Sequence, residues 1–294
     1  MIYLFIIERL ESANKKRLLL EETVEKRTEQ INIQKELVEK KSLALNESIR
    51  YAKIIQEAIL NNESELDESE LEYFNLFIPK DIVSGDFYWY KKIDNQLYIA
   101  VVDCTGHGVP GGFMSMLGIA YLNEITSNDL VISTGVILDE LRGKIIKLLG
   151  QKGKDEESRD GMDMSLIRID LKTKKMQFSG AMNSIFIARN KVFTKLSAER
   201  KTIGYSHKMS PFTSINYQML KNDVIYLMSD GYVDQFGGEK DKKFGSKRFK
   251  ELLLSVQEKS MKEQKKTLKL VFKNWMKESK AEQIDDVCVM GVKI

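Results

Sequence analysis

Glycine and proline are missing from the first 78 residues; all eighteen glycines and all three prolines of this 294-residue chain come later, beginning at Pro79. These are the residues that turn and interrupt a backbone, so their absence excludes a turn-rich fold from the N-terminal stretch and marks a domain boundary. Cysteine is scarce as well. Cys104 and Cys288 are the only two, which excludes a disulfide framework and favours a reducing, cytoplasmic setting. Two histidines and two cysteines, far apart and without zinc-ligand spacing, argue against a zinc site. A long apolar run is missing too. Met1-Ile2-Tyr3-Leu4-Phe5-Ile6-Ile7 is too short to span a bilayer and lacks the basic start and small-residue cleavage site of a signal peptide. Two readings fit it: the first turns of a helix packing on a partner, or the stub of a membrane segment from a longer receptor. The formal charge is only +3, with no long basic block, so charge gives no reason to expect nucleic acid. The length suits one sizeable domain with an appendage, or two modest domains.

The glycine-free stretch is filled by helix formers. From Glu8 to Leu60, Glu, Lys, Gln, Leu and Arg dominate. Val24, Ile31, Val38, Leu45, Ala52 and Ile59 recur every seven residues, as the a positions of a coiled coil do. The d positions are poorer: Leu20 and Ile55 are apolar, whereas Arg27, Gln34, Lys41 and Ser48 are not. This predicts a helix over 1–60 forming a weak parallel homodimer. Such a helix is either a dimerising spacer or a signal carrier whose poor d layer lets register change at little cost. Tyr51 to Leu60 is more apolar and is expected to pack on the next domain or on the partner helix. Residues 61–73 follow as an acidic linker, with Asn61-Asn62-Glu63-Ser64 ending the helix and Asp67-Glu68-Ser69-Glu70 as a short helical start.

Over 74–294, short apolar runs alternate with turns. Strands are expected at Tyr73 to Ile78, Asp86 to Lys92, Leu97 to Val102, Met164 to Asp170, Lys175 to Ser179, Ser184 to Arg189, Tyr217 to Met219, Val224 to Ser229 and Val287 to Val292. Helices are expected at Gly111 to Leu130, Val136 to Leu149, Arg248 to Val256 and Thr267 to Trp275. Strands in groups with helices between them predict an α+β class, a sandwich of antiparallel sheets with outer helices, rather than repeated βαβ units.

The organising stretch is Val101-Val102-Asp103-Cys104-Thr105-Gly106-His107-Gly108, where an apolar strand breaks into a carboxylate, a hydroxyl, glycines and a histidine. Three further stretches share this setting: Ser84-Gly85-Asp86-Phe87, Met228-Ser229-Asp230-Gly231, and Asp285-Asp286 before Val287. Aspartates gathered at the ends of neighbouring strands repel unless something positive lies between them. Magnesium or manganese fits that role. Adjacent strand residues face opposite ways, so one of Asp285 and Asp286 is expected to point into the site, with Asp285 favoured and Asp286 in reserve. His107 is either an acid toward a leaving oxygen or a loop residue fixed by packing. His207, before Pro211, is expected at the surface.

Taken in order, Ser84-Gly85-Asp86-Phe87-Tyr88-Trp89, Asp103 to Gly111, Ser229-Asp230-Gly231 and Asp285-Asp286 resemble the metal-dependent PPM serine/threonine phosphatases, in their SpoIIE/RsbU-like bacterial branch. The resemblance covers about Phe74 to Ile294. It implies a β-sandwich flanked by helices, with two Mn²⁺ or Mg²⁺ ions in a cleft between the sheets. It further implies that Asp103 bridges the ions, that the Cys104 carbonyl binds one, and that Asp86, Asp230 and Asp285 complete the carboxylates. In the loop Arg159-Asp160-Gly161-Met162-Asp163, Asp160, with Asp163 behind it, is implied as ligand of a third, weaker ion. The substrate implied is a phosphoserine or phosphothreonine on an anti-sigma-factor antagonist type of protein. Control is implied to come from an upstream sensor module or partner through the dimeric helix. Two departures stand out: no phosphate-gripping arginine precedes Asp86, where Lys80 is the available cation, and Gly111-Gly112 replaces the small alanines of relatives.

Two rival readings remain. One is a catalytically weak phosphatase-fold domain acting as a dimeric scaffold, which has no need of mutually repelling carboxylates. The other is a nucleotide cyclase, whose βαββαβ order matches this chain poorly.

Overall fold

The computed structural model describes residues 2–60, 64–67, 69, 71–128, 130–153, 160–206 and 209–294. His207, Arg159 and parts of the acidic linker (61–63, Glu68, Glu70) lie outside the described residues. The chain divides into two units, Met1–Tyr51 and Ala52–Ile294.

The first unit is helix. A single helix α1 runs from Ile2 to Leu60, so it crosses the division and its last turns belong to the second unit. The heptad positions Val24, Ile31, Val38 and Leu45 are 56 to 64% exposed. Among the described residues no helix is long and apolar enough to cross a membrane.

In the second unit, α2 (Ser64–Asp67) leads to β1 (Glu72–Ile78), β2 (Phe87–Ile93) and β3 (Gln96–Cys104). Helices α3 (Gly108–Ile125) and α4 (Thr134–Leu149) come next, followed by β4 (Met162–Asp170), β5 (Lys175–Ala181), β6 (Ile185–Arg189), β7 (Val192–Leu196), β8 (Ile215–Gln218) and β9 (Val224–Met228). A short turn of helix α5 (Gly231–Asp234) and a small ribbon of β10 (Phe236–Gly237) and β11 (Lys242–Lys243) precede α6 (Ser246–Val256), α7 (Met261–Ser279) and β12 (Val287–Lys293). Two five-stranded antiparallel sheets result, one ordered β2-β3-β4-β5-β8 and the other β1-β12-β9-β6-β7.

Strands β9 and β12 are apolar over almost their whole length because both of their faces are covered. On β12, Cys288, Met290 and Val292 join the core between the sheets, whereas Val287 and Val289 join a second core under α6 and α7. On β9, Ile225 and Leu227 face inward while Val224, Tyr226 and Met228 face outward. The period of two is intact; it simply separates two apolar environments. Helix α7 starts at Met261, earlier than Thr267, because Ser260 and Glu263 form a reciprocal capping box. Helix α3 stops at Ile125 rather than Leu130, where the Thr126 hydroxyl turns back to the Leu122 carbonyl.

Candidate metal-dependent active site

Strand register brings the acidic residues together. Across β3 and β4, Asp103 is the direct partner of Asp163. Across β2 and β3, Phe87 pairs with Val102, so Asp86 comes next in line beside Asp103. Three carboxylates therefore share one rung at the end of the first sheet. The second sheet supplies Asp230 just past β9 and Asp285-Asp286 just before β12, on adjacent central strands.

The loops between are held by backbone contacts. Gly106 and Gly108 take positive φ of 84° and 64°, which turns the chain from β3 into α3. A Cβ at Gly85 or at Gly111 would strike the Gly106 carbonyl oxygen, and one at Gly111 would also come within 2.8 Å of the Gly85 Cα. Thr105 ties this turn to the start of β4: its N–H donates to the Gly161 carbonyl at 3.0 Å, and its hydroxyl accepts from the Gly161 N–H at 3.0 Å.

The electrostatics are those of crowded, buried anions. Burial, then the charge of Asp103, pushes the Asp86 carboxyl well above its usual range, although a Ser229 hydrogen bond opposes this. Asp103 is pushed to about 8 by burial, with Asp230, Asp285 and Asp163 adding to it and the Asp230 N–H opposing it. Burial also raises Asp163 and Asp230. Asp86 is 2% exposed, and its Oδ2 has no hydrogen-bond partner. An orphaned carboxylate oxygen inside a cluster of carboxylates is what a hard, oxygen-seeking cation would satisfy. The residues present therefore fit magnesium or manganese. Among the described residues, no three His, Cys, Asp or Glu side chains already close into a ligand shell.

The other expected residues divide by position. Asp286 is buried, its oxygens accepting from the N–H groups of Lys80 and Gly85, each at 2.7 Å. Asp285 is half-buried and accepts through Oδ1 from the Asp286 N–H at 2.9 Å. Asp163 lies on the rung with Asp103, while Asp160 precedes β4 and its carbonyl accepts from Gln151 at 2.6 Å. Burial, above all, holds the Cys104 and Cys288 thiols in their neutral form. His107 stands at the N-terminus of α3, with Nδ1 2.6 Å from Asp81 and Nε2 2.9 Å from the Lys80 ammonium. Lys80 has only hydrogens to offer, so Nε2 accepts and Nδ1–H donates to Asp81. Asp81 was not apparent from the sequence. Its only signal there is its place beside Lys80, directly after the first proline.

Asp230 also borders a cavity of about 180 Å³ whose walls include Ser229, Lys195 and Lys250. Positive charge thus flanks the carboxylates on that side.

The comparisons with known proteins identify the family and the fold. The family model described as "Stage II sporulation protein E (SpoIIE)" matches residues 93–294. The phosphoserine phosphatase RsbU of Bacillus subtilis (strain 168) is 22% identical over 197 residues, covering 65% of this chain and 54% of that protein. The matching part thus spans about half the length of that curated relative. Among solved structures, the SiaA-PP2C domain of Pseudomonas aeruginosa has 28% identity and a TM-score of 0.76, covering 86% of this chain and 98% of that one. The PP2C phosphatase domain of SpoIIE from Bacillus subtilis, solved with a fragment of its regulatory domain, shares the fold at 21% identity and a TM-score of 0.61, covering 76% of this chain and 63% of that one. With the family model covering well over half of its length, the chain belongs to the SpoIIE family and carries that family's phosphatase fold.

Proposed function

We propose that this protein is a metal-dependent serine/threonine phosphatase acting on a phosphorylated regulatory protein, of the anti-sigma-factor-antagonist type. The observation that carries this reading is the rung of Asp86, Asp103 and Asp163 beside Asp230 and Asp285, with one buried Asp86 oxygen left unpartnered. Asp103 would bridge two Mn²⁺ or Mg²⁺ ions, with Asp86, Asp230, Asp285 and the Cys104 carbonyl as further donors. Asp163 or Asp160 would hold a weaker third. When bound, such ions supply an activated water and a grip on phosphate oxygens. In the hydrolysis, water adds its oxygen to phosphorus, the bond to the seryl or threonyl oxygen breaks, and that oxygen takes up a proton. His107, fixed by Asp81 and Lys80, is the group of this chain suited to hand over the proton, once its Nε2, which here accepts from Lys80, has itself taken one up. Lys80, Lys195 and Lys250 supply the positive charge that a phosphoprotein meets. Dimerisation through the heptads of α1 and control by an upstream sensor or partner complete the proposal.

A second reading, the dimeric scaffold, draws on the absence of a closed ligand shell among the described residues. Release of phosphate from an aryl phosphate during Mn²⁺ titration separates the two. Turnover that requires Mn²⁺ and disappears in Asp103→Asn is expected of the enzyme. No turnover together with no calorimetric Mn²⁺ binding would leave the scaffold.

A further inference from the structure

The last turns of α1 carry one polar residue that packing alone does not call for. Gln56 is 3% exposed and lies beside Val83, Phe113 and Met116. Its side-chain amide takes both backbone groups of Ser84: Nε2 donates to the Ser84 carbonyl at 2.7 Å, and Oε1 accepts from the Ser84 N–H at 3.1 Å. Nε2 also donates to the Ser115 hydroxyl on α3 at 2.8 Å, and that hydroxyl donates to the Gly112 carbonyl at 2.9 Å. A buried glutamine that pairs with a backbone in this way acts as one extra ladder rung, and it satisfies groups that no strand reaches.

The segment so gripped leads directly to Asp86. Ser84 is held by Gln56 and the Gly85 N–H by Asp286, and the Gly106 carbonyl lies where a Cβ on Gly85 would go. Asp86 comes next, and no hydrogen bond fixes its Oδ2. Among the described residues Ser229 is the one side chain bonded to this carboxyl, so the direction of the Asp86 carboxylate depends as well on the backbone before it. We propose that Gln56 is a positioning residue for Asp86: through Ser84 and Ser115 it sets the backbone that aims this carboxylate, so the end of the N-terminal helix is part of the active-site frame. This rests on the metal-dependent reading of the site proposed above.

The test compares full-length wild type, Gln56→Glu and Gln56→Met, with Gln34→Glu on the same helix as control. Gln56→Glu keeps size and shape but cannot donate to the Ser84 carbonyl; Gln56→Met removes both halves of the pairing. Outer-shell groups of this kind are typically worth roughly 10–100-fold in metal affinity. A loss of that size in calorimetric Mn²⁺ affinity is expected in both Gln56 variants and not in the control. Hydrogen exchange without metal gives a second readout. Amides over 84–90 should exchange faster in both variants, while those over 97–102 and 224–228 keep their protection. Unchanged exchange over 84–90, or loosening spread evenly through both sheets, would overturn the proposal. So would wild-type Mn²⁺ affinity in Gln56→Met. If wild type itself binds no Mn²⁺ and hydrolyses nothing, the phosphatase reading fails, and the exchange pattern still decides the role of Gln56.

Discussion

Asp103 and Asp163 face one another as direct partners on β3 and β4, and burial raises the carboxyls of both. Beyond burial, the charges of Asp230, Asp285 and Asp163 discourage Asp103 from ionising. The site is thus built against its own electrostatics, which has consequences for the metal-free protein.

With Asp103 raised from 3.8 to about 8, the folded state binds a proton that the unfolded chain has already released. Stability is therefore full below the lower value and is lost as pH rises through the upper one. Thermal melts in chelator should fall as pH is raised from about 5 to about 9. Asp103→Asn should flatten that slope and raise the melting temperature at the alkaline end while abolishing Mn²⁺-dependent turnover. A flat wild-type profile, or a variant less stable than wild type at alkaline pH, would count against this account.

Asp285 and Asp286 should separate by kind of damage. Asp286→Asn would set an amide N–H₂ against one of the two N–H donors it now accepts from, and should cost about 1–3 kcal/mol in denaturant unfolding. Asp285→Asn keeps an oxygen for the Asp286 N–H and should alter stability by less than about 0.5 kcal/mol while weakening Mn²⁺ binding. The reverse pattern would exchange their roles.

Cys104 and Cys288 are both buried and held as thiols. Neither should react with a disulfide reagent until the protein unfolds, when two thiols should appear. Cys104→Ser should keep its Mn²⁺-dependent turnover, because the backbone oxygen, not the sulfur, is the donor proposed there. Loss of turnover without loss of stability would assign the sulfur a part.

Ile31 and Val38 are 62% and 64% exposed on α1. If they form the seam of a dimer, replacing both with aspartate should convert a dimer to a monomer by sedimentation equilibrium. A monomeric wild type would remove the seam from the account of regulation.

The fold was most legible where two cores meet. Strands such as Val224–Met228 and Val287–Lys293 are apolar on both faces and announce themselves as runs. The edge strand Val192–Leu196, mostly exposed and with Lys195 within it, gave no such run, and the two-residue strands of the small ribbon are too short for any periodicity. The aspartates stood out because each lies at one end of an apolar strand, Asp103 and Asp230 after the run and Asp86 and Asp285-Asp286 before it. The place of Asp163 did not, since it depends on the pairing register of β4 against β3, which is fixed only when the sheet assembles. Gln56 was hidden for a similar reason: its partners lie far along the chain, at Ser84 and Ser115.

Gly85, Gly106 and Gly111 meet through main-chain atoms alone, with no room for a methyl group on the first or the last. Positions joined in this way cannot drift independently, because any side chain added to one must be accommodated by moving the backbone of another. The tolerance of the site to mutation is accordingly uneven. Its frame is frozen, and its carboxylates are the adjustable parts. Selection for a different metal preference in this scaffold should accumulate changes at Asp163, Asp160 and their neighbours before it touches the glycines.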